Sequence, residues 1–414
     1  MPSANTTTTR WRPTRPQVWY LAFAFFTQLA AWVVTSTLPW YALQVGSGVS
    51  ALAVVQSLQF LPSLLLAPIA GVWADRFRPS LLLRWTTGLT AVAVAAVAVA
   101  SAGASWLAVV SVAVFSGLVT GTSIFQFSAI QVLLGSIVSD ADRARLVGVS
   151  GTVSSICRIL GPALSASLIM AGGAPAAFAG GLFAAVLALA ALAPLKTVEV
   201  VELARPRTSF GDGLRYVHSQ PALVRELLTF TVVSLVVLNF GTLVPLAVDA
   251  WYDNDPRVLG AANIALGIGA LVGGVLLATA KAHVSRARRA ALVGLAAAGS
   301  VLALRGQGIV AFLILLSILG CARLIYTTTV QVAVVTGTVP EHRGKVAALY
   351  AMAFNGTTSV GSLLTAAIVA WAGVAAGLIV TAVVSAGAAL VRDKDAPIQR
   401  PAVVAEPGRG RLHQ

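Results

Sequence analysis

The sequence predicts an all-α membrane protein, with twelve transmembrane helices arranged as two parallel six-helix bundles. Three observations carry that prediction. The chain has 414 residues, of which 57% are hydrophobic and only 10% charged, whereas a soluble domain gives about 25% of its residues to charge. Too few charges remain to solvate so large a surface, so lipid must be the solvent for much of it. Apolar runs of about 20 residues, the length that crosses a bilayer core, recur along the chain. The cations fall in short clusters between those runs, the arrangement that orients membrane helices.

The elements follow in order. Residues 1–17 form a cytoplasmic N-terminal segment bearing Arg10, Arg12 and Arg15. The first apolar run, 18–43, is far longer than the about 7–15 residues of a signal-peptide core, so it reads as a first span that stays attached. Spans at 48–72, 80–101, 105–127, 147–171 and 175–195 complete the N-terminal bundle, 18–195. A cytoplasmic linker, 196–222, follows, and the stretch FGDGLRYVHSQPALVREL reads as a helix lying on the cytoplasmic surface. Spans at 223–248, 258–280, 290–304, 308–331, 346–371 and 373–391 form the C-terminal bundle, 223–391, and a cytoplasmic tail, 392–414, closes the chain. The ninth span, 290–304, is the shortest.

Charge and tryptophan test this map independently. On it, 24 of the 28 Lys and Arg fall on one side, Arg257 and Arg305 on the other, and Arg158 and Arg323 inside spans. That asymmetry places both termini in the cytoplasm. The net charge of +14 is then a positive-inside signature facing anionic lipid, not a nucleic-acid surface. Trp prefers membrane interfaces. Trp11, Trp19, Trp73 and Trp85 fall at inner ends and Trp40, Trp106, Trp251 and Trp371 at outer ends; Trp32 alone is mid-span. Cys157 and Cys321 lie inside spans without CxxC spacing, as small packing residues do. No pattern asks for a metal or cofactor.

The two halves repeat. IQVLLGSIVSDADRARLVG, from Ile130, parallels VQVAVVTGTVPEHRGKVAA, from Val330; Gln131 and Gln331 are 200 residues apart, as are Gly161 and Gly361. Two six-helix units in one orientation imply a pseudo-two-fold axis along the membrane normal, with a substrate site between them. Between the second and third spans stands GVWADRFRPS. Twelve spans in two parallel repeats resemble the major facilitator superfamily, and GVWADRF resembles that family's loop motif through Gly71, Asp75 and Arg76. Arg78, Pro79 and Ser80 depart from its last three positions. The resemblance implies a latch in which Asp75 meets the N-terminus of the eleventh helix, whose dipole favours an anion, in one of two conformations.

A narrower resemblance, to the branch holding the enterobactin exporter and macrolide efflux proteins, rests on SIVSDADRARLVGVSGTVSSICRILGPALSASL and TSFGDGLRYVHSQPALVREL. Gly148, Gly161 and Pro162 also fit the glycine-rich fifth helix of the superfamily's antiporters, although Cys157, Ser165 and Ala166 replace glycines there.

Arg158 is the sharpest candidate for substrate contact. Eleven residues into its span, it lies roughly 16 Å deep at 1.5 Å per residue. An Arg there costs at least about 2.5–3.5 kcal/mol if it meets lipid, so it faces either a partner carbonyl or a wet cavity that attracts anions; both readings stand. Arg323, with Tyr326 on its face, is a second candidate that could also snorkel. Trp32, with Gln28, Ser36 and Pro39 on its face, could stack an aromatic substrate or pack a helix. Gln59, Gln126, Asn239 and Asn355 are mid-span polar groups that line a pathway or bridge helices.

No carboxylate occupies a mid-span position, and Asp249, at the outer end of the seventh span, is the best remaining candidate. Proton coupling is therefore implied by the family resemblance alone. No GxxxxGK[ST] stretch supports an ATP-driven pump, and His218, His283, His342 and His413 all fall in loops or the tail, which argues against an enzyme. The resemblance implies a monomeric secondary transporter of a bacterial cytoplasmic membrane. It would export a small amphipathic, anionic or aromatic molecule, siderophore-like or drug-like, by alternating access. Import of an organic anion, or a non-transporting receptor of the same fold, remains open on these residues.

Overall fold

The computed structural model describes residues 14–45, 48–76, 78–103, 105–137, 140–197, 210–279, 284–304, 308–339 and 342–390. The helices are α1 (Arg15–Val45), α2 (Val49–Arg76), α3 (Pro79–Ala100), α4 (Trp106–Ile137), α5 (Asp140–Ala191), α6 (Phe210–His218), α7 (Pro221–Val237), α8 (Phe240–Tyr252), α9 (Pro256–Thr279), α10 (Val284–Ala303), α11 (Ile309–Thr336) and α12 (Arg343–Leu390). A 3₁₀ turn, Ala193–Thr197, follows α5. Helices dominate because a backbone in lipid must satisfy its own N–H and C=O groups. Pro79, Pro221 and Pro256 open α3, α7 and α9, where a missing N–H costs no helical bond.

Among the described residues, eight helical stretches are long and apolar enough to cross a membrane, with α7 and α8 counted together. Their outward faces are apolar: Val99, Leu107, Phe183, Val275, Val310 and Val383 are all more than 60% exposed. A continuous exposed apolar belt of this kind suits lipid and not water. Trp85, Trp106 and Trp371 are exposed as well.

Two helices are hairpins. α5 breaks at Gly172 and Gly173, the latter with φ +71 and ψ −168, and α12 breaks at Gly373 with φ +82 and ψ 170. Only glycine takes such angles without strain. The chain folds back there: a Cβ on Gly180 would strike Leu168, and one on Gly377 would lie 3.2 Å from Val369, neighbours that a straight helix would hold far apart. Gly173 and Gly373 are themselves 200 residues apart, a third pair in register with the repeat.

Three boundaries differ from the apolar pattern. α10 starts at Val284, ahead of the apolar run at 290, because the helix continues through Arg286, Arg288 and Arg289; hydropathy marks where lipid begins, not where hydrogen bonding does. Arg288 pairs there with Glu226 of α7. The seventh apolar run is not one helix but two, α7 and α8, interrupted at Leu238 and Asn239. The stretch FGDGLRYVHSQPALVREL is not one helix but two: α6 ends at His218, and α7 begins at Pro221.

Helices α1–α5 pack mainly on one another, as do α7–α12, and the two sets meet along the seams α2–α12 and α5–α9. Hereafter the near face is the one where α1 begins, and the far face the one where it ends. Close packing uses small residues within each set. A Cβ on Gly117 of α4 would press the Leu58 carbonyl of α2; Gly269 of α9 and Gly320 of α11 do the same to Ser317 and Leu266. Pro62 lies four residues after Leu58, so that carbonyl lacks its helical N–H, and the glycine lets the neighbouring backbone close over it.

Candidate functional site between the two helix sets

α1 and the seventh segment show the same burial pattern. In α1 every residue from Val33 to Leu43 except Thr35 is buried, whereas the stretch up to Trp32 is only partly so. In the seventh segment α8 is sealed from Phe240 to Val248 except at Gly241, whereas α7 is mixed. The first helix of each set is thus sealed in its far half and accessible in its near half. A cleft opening toward the near face, closed at the far face, has this signature.

Contacts between the sets close the far side. The Trp40 indole N–H donates to the Asn254 carbonyl at 3.0 Å. Gln56 Nε2 of α2 donates to the Gly241 carbonyl of α8 at 2.7 Å. Gly241 stands four residues before Pro245, so its carbonyl has no helical donor; a glutamine from the other set supplies one. The Ser57 hydroxyl donates to the Ser359 carbonyl at 3.2 Å. At the α5–α9 seam, Gly260 faces Pro162 and Ala166, and Gly267 faces Ile159 and the Arg158 carbonyl. Pro162 deprives that Arg158 carbonyl of its helical donor in turn.

Beside Trp32, where the sealed half of α1 begins, sits Arg158, half-buried, its Cζ 5.2 Å from the centroid of the Trp32 ring. Buried cation–π pairs contribute about 2 kcal/mol. Arg158 Nε is buried without a hydrogen-bond partner. The ring is fixed because Gly161, one turn beyond Arg158, leaves room only for the backbone of Trp32: a Cβ there would collide with it. Farther along, Ser165 and Thr37 share a hydroxyl–hydroxyl bond of 2.8 Å. The small-residue face of α5 therefore serves both α1 and α9, with Arg158 between them. Gln28 is half-buried, one turn before Trp32 on α1.

The other set contributes Arg323 of α11, half-buried, with its Cζ 6.0 Å from the Phe240 ring. It lies within electrostatic range of Arg158 and of the Tyr350 hydroxyl. Behind it stands an aromatic stack. Phe230 lies 4.6 Å from Tyr350 and 6.1 Å from both Tyr326 and Phe354, ring to ring. The Tyr350 hydroxyl donates to the Thr327 carbonyl at 2.9 Å. Tyr326 is 1% exposed and belongs to this packed stack, one layer behind the cleft.

The mid-span amides have defined partners. Asn239 sits in the α7–α8 break, where its Nδ2 donates to the Leu235 carbonyl at 2.6 Å; Gly361 of α12 gives it space, as Gly161 does Trp32. Gln126 donates to the Thr90 and Thr87 hydroxyls of α3 at 3.2 and 3.5 Å. Gln59 Nε2 reaches Thr35 Oγ1 at 3.4 Å while its Oε1 stays buried and unpaired. Cys157 is buried and free, its Sγ 3.4 Å from the Phe25 carbonyl. Gly71, Asp75 and Arg76 fall in the last turns of α2, and Gly148 and Asn355 in α5 and α12; the side-chain surroundings of all five lie outside the described residues.

Sequence reasoning missed Phe230, Phe240, Tyr350, Phe354 and Gln56. Aromatic residues inside an apolar run carry no periodic signal of their own. Phe240 was signalled only by adjacency to a mid-span Asn, and Gln56 by its spacing of three from Gln59.

Comparison with known proteins matches this arrangement. The chain is 21% identical over 352 residues to the Staphyloferrin A transporter of Staphylococcus aureus (strain NCTC 8325 / PS 47), covering 84% of this chain and 87% of that one. Among solved structures, it superposes on a nucleoside transporter, NupG, with a TM-score of 0.73 at 14% identity, over 91% of this chain and 98% of the other. A bacterial homologue of the iron transporter ferroportin, in an inward-facing state, gives 0.71 at 16% identity, over 92% and 100% of the two chains. A D-xylose–proton symporter gives 0.68 at 12% identity, over 90% and 96%. At these identities the likeness is one of fold. The family model for transmembrane secretion effectors matches residues 8–399, almost the whole chain. The chain therefore belongs to the transmembrane secretion effector family of the major facilitator superfamily, a family of multi-pass membrane transporters and not of enzymes.

Proposed function

We propose that this protein is a secondary exporter. It carries a small amphipathic molecule with anionic and aromatic character, siderophore-like or drug-like, out of the cell by alternating access. The observation that carries this reading is Arg158 over Trp32, where the sealed half of α1 begins. A buried cation with an unpaired Nε is costly to maintain in a membrane, and the ring beneath it offers an aromatic ligand a face. Gln28 and Arg323 extend the lining, and Gln59, Asn239 and Asn355 complete the pathway, while Tyr326 and Gln126 support it. The likeness to the staphylococcal Staphyloferrin A transporter and the family's description as transmembrane secretion effectors favour export of a chelator-like acid.

On this reading the chain crosses a bacterial cytoplasmic membrane twelve times, α5 and α12 each crossing twice and α7 with α8 once. Residues 18–195 and 223–391 are the two bundles, joined by 196–222, with both termini inside. The near face is cytoplasmic, and the state described is open to the cytoplasm. Asp75, with Gly71 and Arg76, latches α2 to the start of α12 when that side closes, and the packing of Gly148, Gly161 and Pro162 keeps α5 close to its neighbours as the bundles rock. Proton coupling is the driving force that the family resemblance implies, with Asp249, at the outer end of the seventh span, as the candidate carrier. The protein works as a monomer.

Untargeted mass spectrometry of medium and cell extract, from the source strain with and without this protein, tests the proposal. An acid that vanishes from the medium and accumulates inside the deletion strain is the expected result. An acid that instead stays in the medium reverses the direction to import. No change in either fraction, with or without added toxic compounds, would sink transport and leave a receptor.

A further inference from the structure

We infer that the transported molecule carries at least two ionised acid groups and bridges the two helix sets, Arg158 of α5 holding one group and Arg323 of α11 the other. The inference rests on reading this cleft as the transport site.

The two cations come from different sets, and each lies over a ring: Arg158 over Trp32 of α1 and Arg323 over Phe240, the first residue of α8. The rings hold the guanidiniums from one side and cannot neutralise them. Their counter-charge cannot come from the chain's own spans. Of the fourteen acidic residues, Asp75, Asp140, Asp142, Glu226, Asp249, Asp253 and Asp255 fall at helix ends or in the turns beside them, and the other seven lie in the linker, the loop before α12 and the tail. Glu226 is already paired with Arg288 near the near-face end of α7. Two like charges, one from each set, thus lie within electrostatic range of each other, and on the transport-site reading they line one cleft and come closer when its near side shuts. Closure excludes water and strengthens their repulsion. One monoanion neutralises one guanidinium and leaves the other exposed to that penalty. A dianion neutralises both, and its two planar carboxylates suit the fork of donors that Arg presents. The rings favour an aromatic or otherwise flat body between the acid groups. The loaded cleft can close where the empty one resists, so the cargo itself licenses the conformational change.

Thermal unfolding of the purified full-length protein tests this, with benzamide, benzoate and isophthalate (neutral, one acid group, two acid groups) as probes at equal concentration. Isophthalate is expected to raise the midpoint at least twofold more than benzoate, and benzamide not at all. Arg158→Gln and Arg323→Gln should each reduce the isophthalate response to that of benzoate. Arg158→Lys and Arg323→Lys should keep most of it, which separates lost charge from a damaged fold. Equal responses to benzoate and isophthalate, a full isophthalate response in either Gln variant, or no response to any probe would overturn the inference. Isophthalate stabilisation together with an unchanged exometabolome in the deletion strain would leave the two-acid site standing and remove export.

Discussion

Gln56→Met separates the two sets at the far face without changing side-chain length. In the parent, Gln56 Nε2 donates to the Gly241 carbonyl at 2.7 Å across the seam. That carbonyl has no donor of its own, because Pro245 sits where its helical N–H would be. Gln56 is 2% exposed, whereas Gly241 is exposed, so losing the amide costs the bond and not the full desolvation of the carbonyl. Methionine fills the same volume and offers no N–H. The closed state then loses that bond, a cost of about 0.5–1.5 kcal/mol that the open state does not incur. A differential of that size shifts the balance between far-closed and far-open states by about 2–13-fold toward open. The reporter is Thr242→Cys, next to Gly241 and 1% exposed in the parent, in a background with Cys157→Ser and Cys321→Ser. The maleimide labelling rate of the purified protein should rise with Gln56→Met by a factor in that range. An unchanged rate would mean that the bond does not bias the far gate, and the reasoning from the proline-freed carbonyl would fail.

Two further changes test other parts of the molecule. A Cβ on Gly361 would meet both Asn239 and the Leu235 carbonyl, so Gly361→Ala should destabilise by about 1–3 kcal/mol, the usual cost of overpacking, visible as a lower unfolding midpoint. Asp75→Asn keeps the shape of the proposed latch residue but removes its charge; transport should slow severalfold at unchanged expression and melting, and full transport would exclude the latch.

Much of the architecture was legible because lipid imposes simple rules on sequence. Apolar runs marked the helices, and cation clusters marked their ends. The 200-residue register of Gly161 with Gly361 extends to Gly173 with Gly373, where the structure puts the turns of the two hairpins. Helix starts were less legible: α10 runs back through three arginines that hydropathy excludes. The interruption of the seventh segment was hidden too. Leu238 and Asn239 are not helix breakers, and their geometry depends on Gly361 from a helix more than a hundred residues away.

The sequence alone placed Arg158 and Arg323 inside spans that hold no acidic neighbour, since charge and depth are read from one strand of text. It could not decide which rings they lie over. Each helix wheel leaves its residue free to point at lipid, at a neighbour or at the centre, and only packing removes that freedom. Gly161 fixes Trp32 under Arg158, Phe240 comes under Arg323 through the break at Asn239, and Gln56 finds the one carbonyl that Pro245 left unpaired. These pairings join residues from 80 to nearly 200 positions apart. Local periodicity carries no information at that range; close contact between helices does.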